Sequence, residues 1–311
     1  MEVNVNEEAV QKPKGKRALG AVRIVLLCLF SVIFIVSAVK FVLDISERKR
    51  GNDLYGELKG MFPDDDFIII VNGDTRAVSK LDRDFGYASE LSITARLEGQ
   101  TPEAEPTPPD ISHETSTALM KVRASIDSLR EINKDIYGWI SISGTSIDYP
   151  IAQASNNDYY LNHAYNGSYS PLGSIFADYR CSDKLTDNMN TVFYGHNLMT
   201  GGEDMFHDIE MFLNQNFFNS TQIIVYTYHG IYVYQPFAVF ETRYDYNYYK
   251  THFKSTKEFL EFTNAMKNNS RCYSDAIFTE EDRVLTLSTC TNREYFTRYA
   301  LQAKLISAIE D

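Results

Sequence analysis

The chain has 311 residues, 44% of them hydrophobic and 13% aromatic, enough for one good-sized core with appendages and thin for two large domains. Its formal charge of −12 is unevenly placed: up to Leu43, six Lys or Arg stand against three Glu, so that stretch carries +3 and the remainder −15. A remainder that acidic excludes a nucleic-acid binder and is repelled by anionic lipid headgroups.

Near the start, KPKGKRALGAVR precedes an apolar run from Ile24 to Leu43 whose one charge, Lys40, lies near the far end where its stem can snorkel. A cleaved signal peptide has a shorter apolar run and a small-residue cleavage site, whereas this run ends in AVKFVLDISERKRG. The pattern predicts a basic cytoplasmic tail over 1–23 and an uncleaved transmembrane anchor over 24–43. Lys12, Lys14, Lys16, Arg17 and Arg23 favour a cytoplasmic amino terminus and an exterior remainder, a bias weakened by Arg48, Lys49 and Arg50.

Residues 44–117 read as a stalk. DISERKRGNDLYGELKGMF has helical spacing, and PDDDFIIIVNGD reads as a short strand ending in an Asn-Gly turn, its acidic residues a solvated turn rather than a metal loop. LEGQTPEAEPTPPDISHETS, with four prolines and five acidic residues, has linker composition and marks a boundary, so the catalytic domain is expected over 118–311. Its leading helix places Leu119, Val122, Ile126, Leu129 and Ile132 on one stripe.

Strand-like runs follow: GWISI, SIDYPI, GSIFADY, NTVFYG, QIIVYTY, GIYVYQPFAVFETR, RVLTLST and RYALQAKLI. Eight strands in about 170 residues, too closely spaced for a helix after each, predict an antiparallel barrel or sandwich. Two helical inserts are expected, EDMFHDIEMFLNQNFFN and STKEFLEFTNAMKNNS. No Gly-rich phosphate loop, HExxH or GxSxG motif is present.

The chemistry concentrates in TLSTCTNREYFTRYALQAKL, Thr286 to Leu305. Period-two alternation puts Leu285, Leu287 and Thr289 on one face of the first strand and Val284, Thr286, Ser288 and Cys290 on the other. The same test on the second strand turns Tyr299, Leu301, Ala303 and Leu305 inward and Arg298, Ala300, Gln302 and Lys304 outward. Joined by a short loop, antiparallel strands then set the Cys290 thiol beside the Arg298 guanidinium. That pairing suits acyl transfer, because a cation favours a charged sulfur and a guanidinium can clamp a carbonyl or hydrogen-bond an oxyanion. The plain alternative is a structural cysteine and a solvated arginine.

A thiol nucleophile needs a proton-transfer partner, usually His. His113 falls in the linker, His207 in a helix-like stretch with acidic neighbours, His229 at a hairpin turn, and His252 after a Tyr-rich loop; His163 reads as a packing or loop residue. His196, in VFYGHN, follows a strand and a glycine and is presented at a strand end. Of the other cysteines, Cys28 lies in the apolar run, while Cys181 and Cys272 are either bridged or two separate buried thiols.

With TLSTC, YGHN and the downstream Arg, the sequence resembles the sortases, membrane-anchored cysteine transpeptidases of Gram-positive bacteria, over roughly residues 120 to 311 and at the anchor. IDYPIAQASNNDYYLNHAYNG, GSIFADYR, NTVFYGHNLMTGGEDMFHDI and the helix before the TLSTC strand resemble class B, although residues 44–117 are long for that class. The resemblance implies a closed eight-stranded β-barrel with an amino-terminal helix and helical inserts, outside the cell membrane. It implies that Cys290 attacks the Thr carbonyl of an NPxTx-like sorting signal in a secreted protein. An amine of the peptidoglycan precursor or cross-bridge then resolves the thioacyl enzyme, with no metal or other cofactor. His196 would be general acid and base and Arg298 the oxyanion and substrate clamp, with Arg293 in the connecting loop as the alternative. Ser288, Thr289, Leu198 and Met199 would shape the substrate groove. Two rivals remain: a papain-like cysteine hydrolase, whose signature around the cysteine is absent, and a non-catalytic anchored binding module.

Overall fold

The computed structural model describes residues 14–58, 67–71, 74–78, 111–198, 204–291 and 296–310. It divides into two compact units, one ending at Arg50 and one from Gly51 onward. Helix α1 runs from Lys14 to Gly56. The apolar run lies within it with its side chains exposed, Phe34 at 74%. By length and composition it is, among the described residues, the one helix able to cross a membrane.

In the second unit, β1 (Phe67–Val71) pairs antiparallel with β2 (Asp74–Val78) around the expected Asn-Gly turn, itself outside the described residues. Helix α2 begins at Ile111 rather than at Ala118, so the last residues of the expected linker are helical and His113 belongs to α2. The predicted stripe buries Leu119, Val122, Ile126 and Leu129, whereas Ile132, in the last turn, is 49% exposed.

The eight predicted strands are all present: β3 (Ile136–Ile142), β4 (Asp148–Ala152), β5 (Ile175–Ala177), β6 (Asn190–Tyr194), β9 (Ile223–Thr227), β10 (Gly230–Arg243), β11 (Val284–Cys290) and β12 (Thr297–Glu310). They close into one barrel in the order β10-β12-β11-β6-β5-β4-β3-β9. The barrel is not wholly antiparallel, because β4 pairs parallel with β5 and β6 parallel with β11. Long excursions precede the second strand of each pair, which is what a parallel neighbour requires. A small hairpin, β7 (Asn197–Leu198) with β8 (Asp204–Met205), extends from the end of β6.

EDMFHDIEMFLNQNFFN is not one helix. It forms a 3-10 run, His207–Leu213, and a short helix α3, Gln215–Ser220. The break falls at Asn214, whose side chain accepts from the backbone N–H groups of Asn216 and Phe217 and so restarts the chain as an N-cap. The second predicted insert forms helix α4, Thr256–Asn269, with Ser255 as its N-cap.

The barrel interior holds the main core, including Tyr137, Trp139, Phe193, Leu285, Leu287, Tyr299 and Leu301. A second apolar cluster lies outside the wall: Phe237, Phe240, Val284 and Ala300 pack against Tyr248 and against Phe259, Phe262 and Met266 of α4. The face of β11 and β12 opposite the core is therefore covered along much of its length.

Candidate active site

Hydrophobic alternation sets the orientation of β11, with Leu285 and Leu287 anchored inside the barrel. Cys290, its last residue, is half-buried and stands opposite Arg298 in the antiparallel register with β12. On its other side β11 runs parallel with β6, in register up to Ser288 opposite Tyr194. The Gly195 N–H then donates to the Ser288 carbonyl at 3.2 Å, and His196 follows. Two parallel neighbours thus end together, β11 on the thiol and β6 two residues before the imidazole.

Gly195 is glycine for a packing reason: a Cβ there would lie 2.7 Å from the buried Phe206 ring. His196 Nε2 lies 2.7 Å from the Leu161 carbonyl oxygen. A carbonyl only accepts, so Nε2 carries the hydrogen and the Nδ1 lone pair is left for proton exchange.

Asn197 ties the two strand ends together. Its buried amide donates to the Cys290 carbonyl at 2.9 Å and to Glu210 Oε1 at 3.0 Å, and its Oδ1 sits 2.7 Å from His207 Nδ1. His207, in the stretch with acidic neighbours, is a partner of that amide. Arg298, half-buried, donates from Nη1 to the Thr297 carbonyl at 2.9 Å.

Below the thiol, the outer face of β11 is polar and closed. Ser288 Oγ lies 2.8 Å from the Tyr248 hydroxyl, and burial raises that phenol above its usual range. Thr286 donates to Asn190 Oδ1 at 2.8 Å and accepts from Gln302 Nε2 at 3.0 Å. Asn190 and Gln302 in turn donate to the backbone carbonyls of Lys250 and Tyr248 at 2.9 and 3.1 Å. The side chains of β6, β11 and β12 therefore pin the segment leading to α4 over the sheet.

Of the residues expected to shape the groove, Ser288 is buried beneath Tyr248, and Thr289 turns toward the barrel core opposite Tyr299. Leu198 is in β7, two residues past His196. Met199 and Arg293 lie outside the described residues. Among the other histidines, His163 stacks on Tyr159 with ring centroids 4.0 Å apart, His229 lies 3.3 Å from Asp183, and His252 bonds Thr251. Cys181 and Cys272 are separate buried thiols with no disulfide between them. Among the described residues no group of His, Cys, Asp and Glu could hold a metal ion.

Beside β6, the fully buried Asp178 accepts two bonds from Arg180, both at 2.7 Å, and one each from Asn157 and the Tyr194 hydroxyl, both at 2.9 Å. Burial pushes its carboxyl upward, but the Arg180 guanidinium and the other donors outweigh that and hold it below the usual carboxylate range.

Residues 140–306 match the family model of the Sortase domain. The chain belongs to the sortase family. Sortase B of Listeria monocytogenes is 38% identical over 197 residues, covering 62% of this chain and 78% of the relative. The structure of a Staphylococcus aureus sortase B–substrate complex superposes with a TM-score of 0.56 at 35% identity, over 63% of this chain and 93% of that one. A sortase B complexed with a glycine tripeptide gives a TM-score of 0.56 at 35% identity, over 63% and 94%. This sortase therefore resembles sortase B, and its barrel has the sortase fold.

Proposed function

We propose that this sortase is a membrane-anchored transpeptidase that cleaves an NPxTx-like sorting signal in secreted proteins and joins them to a peptidoglycan amine. The observation that carries the reading is the convergence of Cys290, Arg298 and His196 at neighbouring strand ends. The thiol proton passes to His196 Nδ1 as Cys290 Sγ attacks the Thr carbonyl carbon, and Arg298 stabilises the oxyanion. The C–N bond breaks, the imidazolium protonates the leaving amine, and a thioester remains. An incoming amine attacks that thioester, gives its proton back to His196, and expels the sulfur.

The substrate and glycine-tripeptide complexes of the similar sortase B structures support a peptide donor and an amine acceptor. Residues 24–43 supply the membrane anchor, and the basic residues before it keep the amino terminus cytoplasmic and the barrel outside. The test is to incubate the full chain in detergent micelles with Asn-Pro-x-Thr peptides and triglycine. Triglycine-linked product is expected and is lost in Cys290→Ala. Hydrolysis alone would indicate a papain-like hydrolase, absence of cleavage a binding module, and activity in Cys290→Ala a different nucleophile.

A further inference from the structure

Within the expected stalk, the residues from Gly51 onward belong to the barrel unit. Gly51, Tyr55 and Leu58, at helical spacing, are all buried. Gly51 allows a close approach, since a Cβ there would fall 2.4 Å from Leu172 Cδ1. One turn on, the Tyr55 ring packs edge-on to Tyr149 and tilted against Tyr165, each with centroids 5.5 Å apart.

The Tyr55 hydroxyl lies 2.8 Å from the Gly173 carbonyl and 3.0 Å from Ser174 Oγ, and it accepts the Tyr165 N–H at 3.3 Å. Ser174 gives its own hydrogen to the His163 carbonyl at 2.9 Å, so the Tyr55 hydrogen is shared between Gly173 O and Ser174 Oγ.

The segment these bonds hold is the one that orients the imidazole. The Ser174 N–H donates to the Tyr160 carbonyl at 3.0 Å, and the next carbonyl, of Leu161, accepts from His196 Nε2. Gly173, at φ +61°, lies against the ring itself: a Cβ there would be 3.1 Å from His196 Cδ2, with the Tyr160 and Leu161 carbonyl oxygens at 2.7 and 2.8 Å. Gly173 thus leaves no room for a side chain beside His196, and its carbonyl accepts from Tyr55.

We propose that Tyr55 is a positioning residue for catalysis, fixing through Gly173 and Ser174 the loop whose Leu161 carbonyl sets the tautomer and direction of the His196 ring. This rests on the reading of His196 as the acid–base group. Residues 51–58 are then part of the catalytic machinery, and a barrel lacking them has an imidazole held by an unsupported loop.

Tyr55→Phe keeps the ring packing and removes the hydroxyl. In the full chain in micelles, with Asn-Pro-x-Thr peptides and triglycine, kcat is expected to fall about tenfold, the kinetic equivalent of one neutral hydrogen bond, with KM little changed. The imidazole limb of the kcat–pH profile should move, and the loss of kcat should persist well below the thermal midpoint, where the variant is fully folded. Wild-type kcat with an unmoved profile would overturn the proposal. So would activity falling only in step with the thermal midpoint, which marks a merely structural tyrosine. His196→Ala separates the two levels: wild-type turnover in that variant removes the acid–base reading itself, whereas its inactivity beside an unaffected Tyr55→Phe removes only the positioning role.

Discussion

Thr286→Val tests whether the outer face of the cysteine strand is a structural joint. Valine is nearly isosteric with threonine and a good strand former, so backbone preference and packing volume change little. What changes is the hydrogen bonding at a site with no exposure. The bond to Asn190 Oδ1 and the bond from Gln302 Nε2 are both lost, and Asn190 Oδ1 is left buried without its donor. Two neutral bonds plus a stranded acceptor correspond to a cost of about 2–4 kcal/mol, and the added methyl recovers only part of it. For a domain of this size that lowers the thermal midpoint by roughly 5–12 °C. Near-ultraviolet circular dichroism, which sees the buried Trp139 and the tyrosines, follows the transition in micelles. A midpoint within about 2 °C of wild type would show that the Lys250–Asn190–Thr286–Gln302–Tyr248 chain does not hold the segment before α4, and the description of that covered face would be wrong.

Three further outcomes are expected. Arg298→Lys should reduce kcat by roughly a hundredfold despite equal charge, because a point ammonium cannot reproduce the planar fork at a developing oxyanion; wild-type rates would show that the positive field alone suffices. Asp178 has a lowered folded pKa, so its stabilisation is fully present above the ordinary carboxylate value of about 3.9 and is lost as the pH falls through the lower folded value. Asp178→Asn should accordingly flatten the acid side of a midpoint-against-pH curve, and parallel curves for the two proteins would contradict this. Burial pushes the Cys181 thiol up to about 12 and raises that of Cys272, so iodoacetamide at neutral pH should label Cys290 in the folded chain and spare those two until denaturant is added. Native-state labelling of Cys181, read by peptide mass spectrometry, would refute the burial assigned to it.

The features legible in the sequence are those governed by short-range pattern. Alternation in RVLTLSTC and RYALQAKL placed Cys290 and Arg298 on one face, and the register pairs them. The helical pattern of STKEFLEFTNAMKNNS became α4, and the residues before His196 formed a strand of the barrel. Features that depend on distant partners were not legible. The parallel pairing of β6 with β11 leaves no local trace, since nothing in NTVFYG specifies which strand lies beside it. Thr286 and Ser288 alternate like solvent-facing residues, but α4 and the segment before it, far along the chain, cover them. Asn197 looks like a turn residue until its amide is seen on the Cys290 carbonyl. Tyr55 was assigned to a stalk because the polar residues around it hide a spacing of buried positions at 51, 55 and 58. Fragments beginning near residue 118, a boundary the composition suggests, omit it.

The pairing of β12 with both β10 and β11 makes the last strand the stave that closes the cask. During synthesis a chain that has reached Cys290 already owns its sulfur and its imidazole, but β11 still lacks the neighbour that carries Arg298. The pairing of β12 with β10, which reaches from Gly230 to Glu310, is of long sequence separation, and contacts of that kind form late. Removing β12 would therefore open the barrel on two sides at once and take Arg298 from its place opposite Cys290.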